Sequence, residues 1–388
     1  MLPISQALQE LPVPDADALE HSRRVTAHIQ EAIRAAGGSL PFARYMELAL
    51  YAPGLGYYSA GARKFGAAGD FVTAPELSPL FSRCVARQCA EVLKALDGGG
   101  LLELGAGSGV MAADMLLELQ QLERLPKEYL ILEVSADLRA RQQECLAARV
   151  PELLSRVRWL DTLPQRFVGV MLGNEVLDAL PVARFRKGGK GYEEYGVIGK
   201  GEGFAWTLGE PKRELAAALA ELDKTLKVPL AHGYASEICT VLPALFQSFA
   251  ASLKRGAVLF LDYGYPRAAF YHPERRMGTL MCHYRQRAHG DPFLYPGLQD
   301  ITAHVDFSAV AEAGTAAGLE LAGYTTQAHF LLAHGISEEA MASLQAAQQV
   351  KLLTLPDEMG ERFKVIGFSK DLEQALGGFA LRDLAHTL

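Results

Sequence analysis

Glu103 stands two residues ahead of three glycines on alternate positions, Gly105, Gly107 and Gly109, in the run Leu-Leu-Glu-Leu-Gly-Ala-Gly-Ser-Gly. Glycine lets a backbone come close to a bound molecule, and the N–H groups opening the next helix attract negative charge. The turn is therefore a candidate ligand cradle, and two ligand classes compete for it. The dinucleotide fingerprint needs its third glycine at position 110, where Val110 stands instead. An acid at this place is awkward beside a pyrophosphate and favourable beside an ammonium or sulfonium. The pattern favours S-adenosylmethionine (SAM) over NAD.

Other acids close apolar runs further along. Glu133 follows Tyr129-Leu-Ile-Leu, where a carboxylate accepts hydrogen bonds from both ribose hydroxyls of a nucleoside or caps the helix after it. Asp161 follows Arg158-Trp159-Leu160, placed to accept from an exocyclic adenine amine or to make a surface turn. Asn174, Glu175 and Asp178 lie in Gly-Asn-Glu-Val-Leu-Asp-Ala-Leu-Pro-Val, which starts at Gly173. Glu175 and Asp178 are three apart and are expected on one face of a helical turn. Like charges held together resist ionisation unless a cation sits between them, so this pair fits a positively charged substrate. An exposed acidic helix start is the other reading.

These residues need a scaffold that brings strand ends together. Strands are expected at 101–104, 129–133, 157–160, 167–172 and 257–262, alternating with helical patterns that include 79–96, 110–119 and 136–148, and again at 319–326 and 363–369. This predicts an α/β fold, a seven-stranded doubly wound, Rossmann-like sheet. Helices are also expected over 15–36, 41–50, 305–317 and 336–355. Two stretches break the alternation after the fourth and fifth strands: 183–234, with a hairpin around 195–208, and 263–300. They emerge on the side where open sheets bind ligands and are candidate walls of a substrate pocket. The division expected is an N-terminal helical and lid region over 1–99, then a catalytic domain over 100–388 with insertions at about 183–234, 263–300 and 330–358. Asp70, Phe71, Thr73, Pro75 and Glu76 end a long Gly- and Tyr-rich stretch, read as a lid over the site or a packed structural arm.

Composition narrows the classes. With 388 residues, 49% of them hydrophobic, the chain can bury a large core. No run reaches the ~18 apolar residues of a membrane span, and Met1–Glu20 carries acids but no basic residue, unlike a leader peptide. The five cysteines show no C-x-x-C pairing, which points to reduced thiols in a cytoplasmic protein and to no zinc site. A net charge of −7 disfavours nucleic acid as a partner.

One ordered set of motifs carries a family likeness: Gly69-Asp70-Phe71 with Pro75-Glu76, Glu103-Leu-Gly-Ala-Gly-Ser-Gly109, Asn174-Glu175 with Asp178-Ala-Leu-Pro-Val182, Leu261-Asp262-Tyr263-Gly264, Thr302-Ala-His304-Val-Asp306-Phe307 and Gly360-Glu361-Arg362-Phe363. The set resembles the MidA-type SAM-dependent methyltransferases over roughly Ser39 to Ser369. The resemblance implies a class I methyltransferase fold, SAM as methyl donor and a protein substrate; mitochondrial relatives methylate arginine on a subunit of respiratory complex I, which makes a respiratory-complex subunit the candidate partner. It also implies that Glu103, Gly105, Gly107 and Gly109 hold the methionine part and Glu133 the ribose.

The matching chemistry is in-line methyl transfer to a nitrogen, which depends mainly on holding donor and acceptor about 3 to 3.5 Å apart. An arginine acceptor is protonated at neutral pH, so carboxylates must orient it and a proton must leave. Glu175 and Asp178 are the candidates, with His304 and Asp306 as a second acid–base pair. A nucleobase methyltransferase would place an aromatic stacker after Asn174, where Glu-Val-Leu stands. A non-catalytic SAM-binding assembly factor is the alternative from another class.

Overall fold

Among the described residues, eight strands form the larger sheet: β1 (Gly100–Leu104), β2 (Tyr129–Leu132), β3 (Val157–Leu160), β4 (Phe167–Asn174), β5 (Leu253–Tyr265), β6 (Val305–Asp306), β7 (Glu320–Thr326) and β8 (Phe363–Lys370). Their order is β7-β8-β5-β4-β1-β2-β3, with β6 beside β5. All pairs among β1 to β6 are parallel, and β8 is antiparallel to both β5 and β7. The expected seven strands thus become eight: Val305 and Asp306, read as the start of a helix, pair with Gly264 and Tyr265 before the helix opens at Phe307. The computed structural model describes residues 11–60 and 73–388.

The central strands read as nearly unbroken apolar runs because helices cover both faces of a parallel sheet. Every residue of β1 is buried. Leu101, Ile131, Val170, Leu172 and Leu259 pack in one cluster with Phe81, Val85, Met115 and Leu116, which lie on helices α1 (Pro79–Ala95) and α2 (Val110–Gln121). A third helix, α3 (Ala136–Arg149), follows β2. Ser78 caps α1 by accepting from Leu80 N–H at 3.2 Å, and Pro79 fills the first position, where the missing N–H costs nothing. The helix expected over 336–355 is two, Ile336–Glu339 and Leu344–Thr354.

The chain divides into two compact units. The second, just described, comprises Val72–Asp178, Leu242–Arg267 and Val305–Leu388. The first joins Met1–Phe71 to Ala179–Val241 and Ala268–His304. This boundary runs differently from the expected division at residue 99, and pairing explains it. Leu40–Pro41, N-terminal in sequence, pairs with Tyr192–Lys200 of the insertion after β4, and Tyr192–Lys200 forms the expected hairpin with Gly203–Gly209. With Ala183–Lys187 and Ala235–Ile238 these make, among the described residues, a five-stranded antiparallel sheet. The helices Ala16–Ala35 and Phe42–Tyr51 contribute Val25, Ile29, Phe42, Tyr45 and Met46 to a core shared with Val197, Cys282 and Ile301. Among the described residues, no helix is long and apolar enough to cross a membrane.

Candidate cofactor and acceptor site

Parallel register levels the carboxyl ends of the strands. Leu104, Leu132 and Leu160 stand side by side across β1, β2 and β3, Gly173 lies beside Leu104, and Asn174 beside Leu261. In such sheets ligands bind along this edge, where the strand order reverses. Here the reversal falls between β1 and β4, and both the glycine turn and the Asn174–Asp178 stretch leave the sheet there.

The turn has the backbone its glycines require. Gly105, Gly107 and Gly109 have φ of 62°, 54° and 85°, a region that side chains disfavour. A Cβ on Gly109 would come within 3.1 Å of the Gln142 backbone, so α3 closes on the turn from behind. Glu76 accepts from Ser108 Oγ in the same turn. Pro75 is buried and Thr73 precedes the short helix Ala74–Leu77. Of the expected lid, Asp70 and Phe71 lie outside the described residues.

Glu103 is buried, and its carboxylate accepts from Tyr129 O–H at 2.6 Å. Burial pushes its pKa up to about 7; the nearby Glu133 adds to this and the Tyr129 hydrogen bond opposes it. Glu133, just past β2, is buried too. Its carboxylate accepts from Ser135 N–H at 2.9 Å and from Gln142 Nε2 at 3.1 Å. Burial raises its pKa while these hydrogen bonds oppose the rise. Gln142 also donates to the Gly107 carbonyl at 3.0 Å and accepts from Trp159 Nε1 at 2.9 Å. A single side chain from α3 thus ties the glycine turn, the acid past β2 and the aromatic ring on β3. Arg139, also on α3, donates to the carbonyls of Glu133 and Leu160 at 2.6 and 2.7 Å and pairs with Asp161 at 2.5 Å. Asp161 itself is 87% exposed.

The expectation for Glu175 and Asp178 needs correction. They do not share a helical turn. Glu175 has φ 53°, in the left-handed region, and its N–H donates to Leu261 O at 2.9 Å. The next three N–H groups, of Val176, Leu177 and Asp178, all point to Asp262 Oδ2 at 3.1, 2.8 and 3.2 Å. A carboxylate on β5 draws these donors away from the helical pattern. Both acids still lie close enough to Asp262 to raise its pKa, after the larger effect of its complete burial. Asn174 ends β4 and donates to Glu175 Oε1 at 3.2 Å.

His304 and Asp306 do not form a pair of like purpose. Asp306 caps the helix Phe307–Ala316, accepting from Ser308 and Ala309 N–H at 3.1 and 3.2 Å, and pairs with Arg267 at 3.3 Å. His304 belongs to the first unit, where its N–H donates to Thr279 Oγ1 at 3.1 Å.

The strand-end geometry suits SAM. It offers an open glycine turn with helix N–H groups for a carboxylate, and buried acids for an ammonium and a ribose diol. The sequence signature of a family of S-adenosyl-L-methionine-dependent methyltransferases matches residues 84–325. The chain belongs to this family. Among solved structures, this SAM-dependent methyltransferase is similar to a superfamily member from Burkholderia thailandensis bound to S-adenosyl-homocysteine, at 50% identity and TM-score 0.92, over 98% of this chain and 100% of that one. A native structure from the same organism matches at 48% identity and TM-score 0.90. Among curated proteins, it is similar to the mitochondrial protein arginine methyltransferase NDUFAF7 of Danio rerio, at 27% identity over 88% of this chain and 86% of the relative. The Drosophila melanogaster homologue matches at 27% over 85% of this chain and 81% of its own length. Those names overturn the cytoplasmic expectation: the absence of a basic leader pattern and of C-x-x-C spacing led to it, and both relatives are named mitochondrial.

Proposed function

We propose that this methyltransferase modifies a guanidinium nitrogen of an arginine on a partner protein. The observation that carries the reading is the Glu175–Asp178 turn, which gathers carboxylates at the strand edge beside the glycine turn. Bound SAM supplies an electrophilic methyl group on a sulfonium. The chain's own residues bind and orient. The glycine turn and Glu103 would receive the methionine part, Glu133 the ribose and Asp161 the adenine amine. Asn174, beside Glu175, borders the reacting end. Glu175 and Asp178 would hold the guanidinium, localise its charge and aim one nitrogen, which loses a proton as it gains the methyl. The names of the curated relatives support an arginine acceptor. The sequence resemblance extends the proposal to a respiratory-complex subunit as partner.

Labelled methyl transfer tests this. The purified protein is incubated with methyl-labelled SAM and a lysate of cells lacking its gene, and labelled peptides are read by fragment-ion mass spectrometry. Methylarginine is expected. Label on lysine, glutamine or nucleic acid, or no label at all, contradicts the proposal.

A further inference from the structure

We infer that Asp262 is a positioning residue for methyl transfer, its carboxylate shaping the Glu175–Asp178 turn by filling a nest of backbone N–H groups. Three consecutive N–H groups converge on Oδ2 at 2.8 to 3.2 Å, and Tyr263 N–H donates to Oδ1 at 2.8 Å. Converging backbone donors make an anion site. Here the acceptor is a carboxyl side chain of the chain itself, 0% exposed and anchored on strand β5.

Two features set this apart from ordinary packing. Glu175, immediately before the nest, holds a left-handed φ of 53°, a conformation that non-glycine residues keep only where their surroundings impose it. Asp178, buried at 5% exposure, and Glu175 both lie near enough to raise the pKa of Asp262, an arrangement that like charges alone would disperse. The N–H nest compensates Asp262 and so lets the turn present its two acids together. Without it, the local sequence is free to continue as the helical turn that its spacing predicts. The inference rests on the reading of Glu175 and Asp178 as acceptor-side groups.

The test uses the full chain with Asp262→Ala and Asp262→Asn, since asparagine keeps one acceptor oxygen toward the nest. Hydrogen exchange of the 176–178 amides is measured with S-adenosyl-homocysteine bound, with calorimetric affinity for that ligand and the rate of label transfer into the lysate at saturating SAM. Asp262→Ala should exchange these amides about tenfold faster or more and lose about 30-fold in transfer rate. Affinity for S-adenosyl-homocysteine and KM for SAM should stay near wild type. Asp262→Asn should recover part of both losses. A purely structural role would lower affinity and rate together, and that result overturns the inference, as does a wild-type transfer rate in Asp262→Ala. If Asp262→Ala does not fold, Asp262→Asn decides: exchange and rate both at wild-type values overturn it. A doubly substituted Glu175→Gln, Asp178→Asn chain separates the two readings. Wild-type transfer in that chain, with transfer lost in Asp262→Ala, refutes the acceptor roles and leaves the positioning role of Asp262 standing.

Discussion

Gln142 donates to Glu133 Oε2 at 3.1 Å, and its second amide hydrogen reaches the Gly107 carbonyl at 3.0 Å. The acid proposed to hold the ribose and the turn proposed to hold the methionine part are thereby fixed by the same side chain. Glu133→Ala should weaken SAM by about 1.5–3 kcal/mol, the scale of hydrogen bonds to a charged group. Gln142→Ala removes only the support and should weaken it by about 0.5–1.5 kcal/mol. Calorimetric titration checks both. Unchanged affinity in Glu133→Ala would reduce Glu133 to an acid that organises the start of α3.

Gly107 tests the cradle itself. Its φ of 54° suits glycine, and a branched side chain there both strains the turn and fills the space the ligand needs. Gly107→Val should abolish binding of S-adenosyl-homocysteine while the far-ultraviolet circular dichroism stays native. The wild-type protein should bind SAM and not NAD. Retained binding in the variant, or NAD binding without SAM binding, would contradict this account of the turn.

The strand ends were legible because they depend on local pattern: apolar runs, an acid at each end, glycines at fixed spacing. The supports were not. Tyr129 meets Glu103, and Trp159 meets Gln142, through strand register and the placement of α3, which no local spacing encodes. Asp262 did carry a signal, an acid closing the apolar run of β5, the same mark that singled out Glu133 and Asp161. What hid its role was the backbone of Val176–Asp178. Spacing predicts a helical turn there, and a carboxylate 84 to 86 residues away in sequence overrides it. Likewise, Leu40 finds its partner Val197 across β1 to β4 in sequence, so the first unit could not be read from any contiguous stretch.

Glu103 predicts a pH dependence. Its pKa rises from 4.5 to about 7 on folding, so the folded state binds the proton more tightly than the unfolded chain. The resulting stabilisation is complete below the unfolded value and is lost as pH rises through about 7, a change on the order of 3 kcal/mol. Glu103→Gln has no proton to lose and still accepts from Tyr129. Without ligand, the melting temperature of the variant relative to wild type should climb between about pH 4.5 and pH 7, the window those two values span. A constant difference across it would show that Glu103 does not titrate there.

The claim at the centre is that Glu175 acts on the acceptor and not on the cofactor. Glu175→Gln keeps the shape and removes the charge. Calorimetry of S-adenosyl-homocysteine binding, run beside labelled methyl transfer on the same preparation, decides it. The account predicts wild-type affinity with transfer reduced roughly 10²-fold or more, as orientation and charge stabilisation are lost together. Loss of affinity in step with transfer would move Glu175 to the cofactor site and contradict the account.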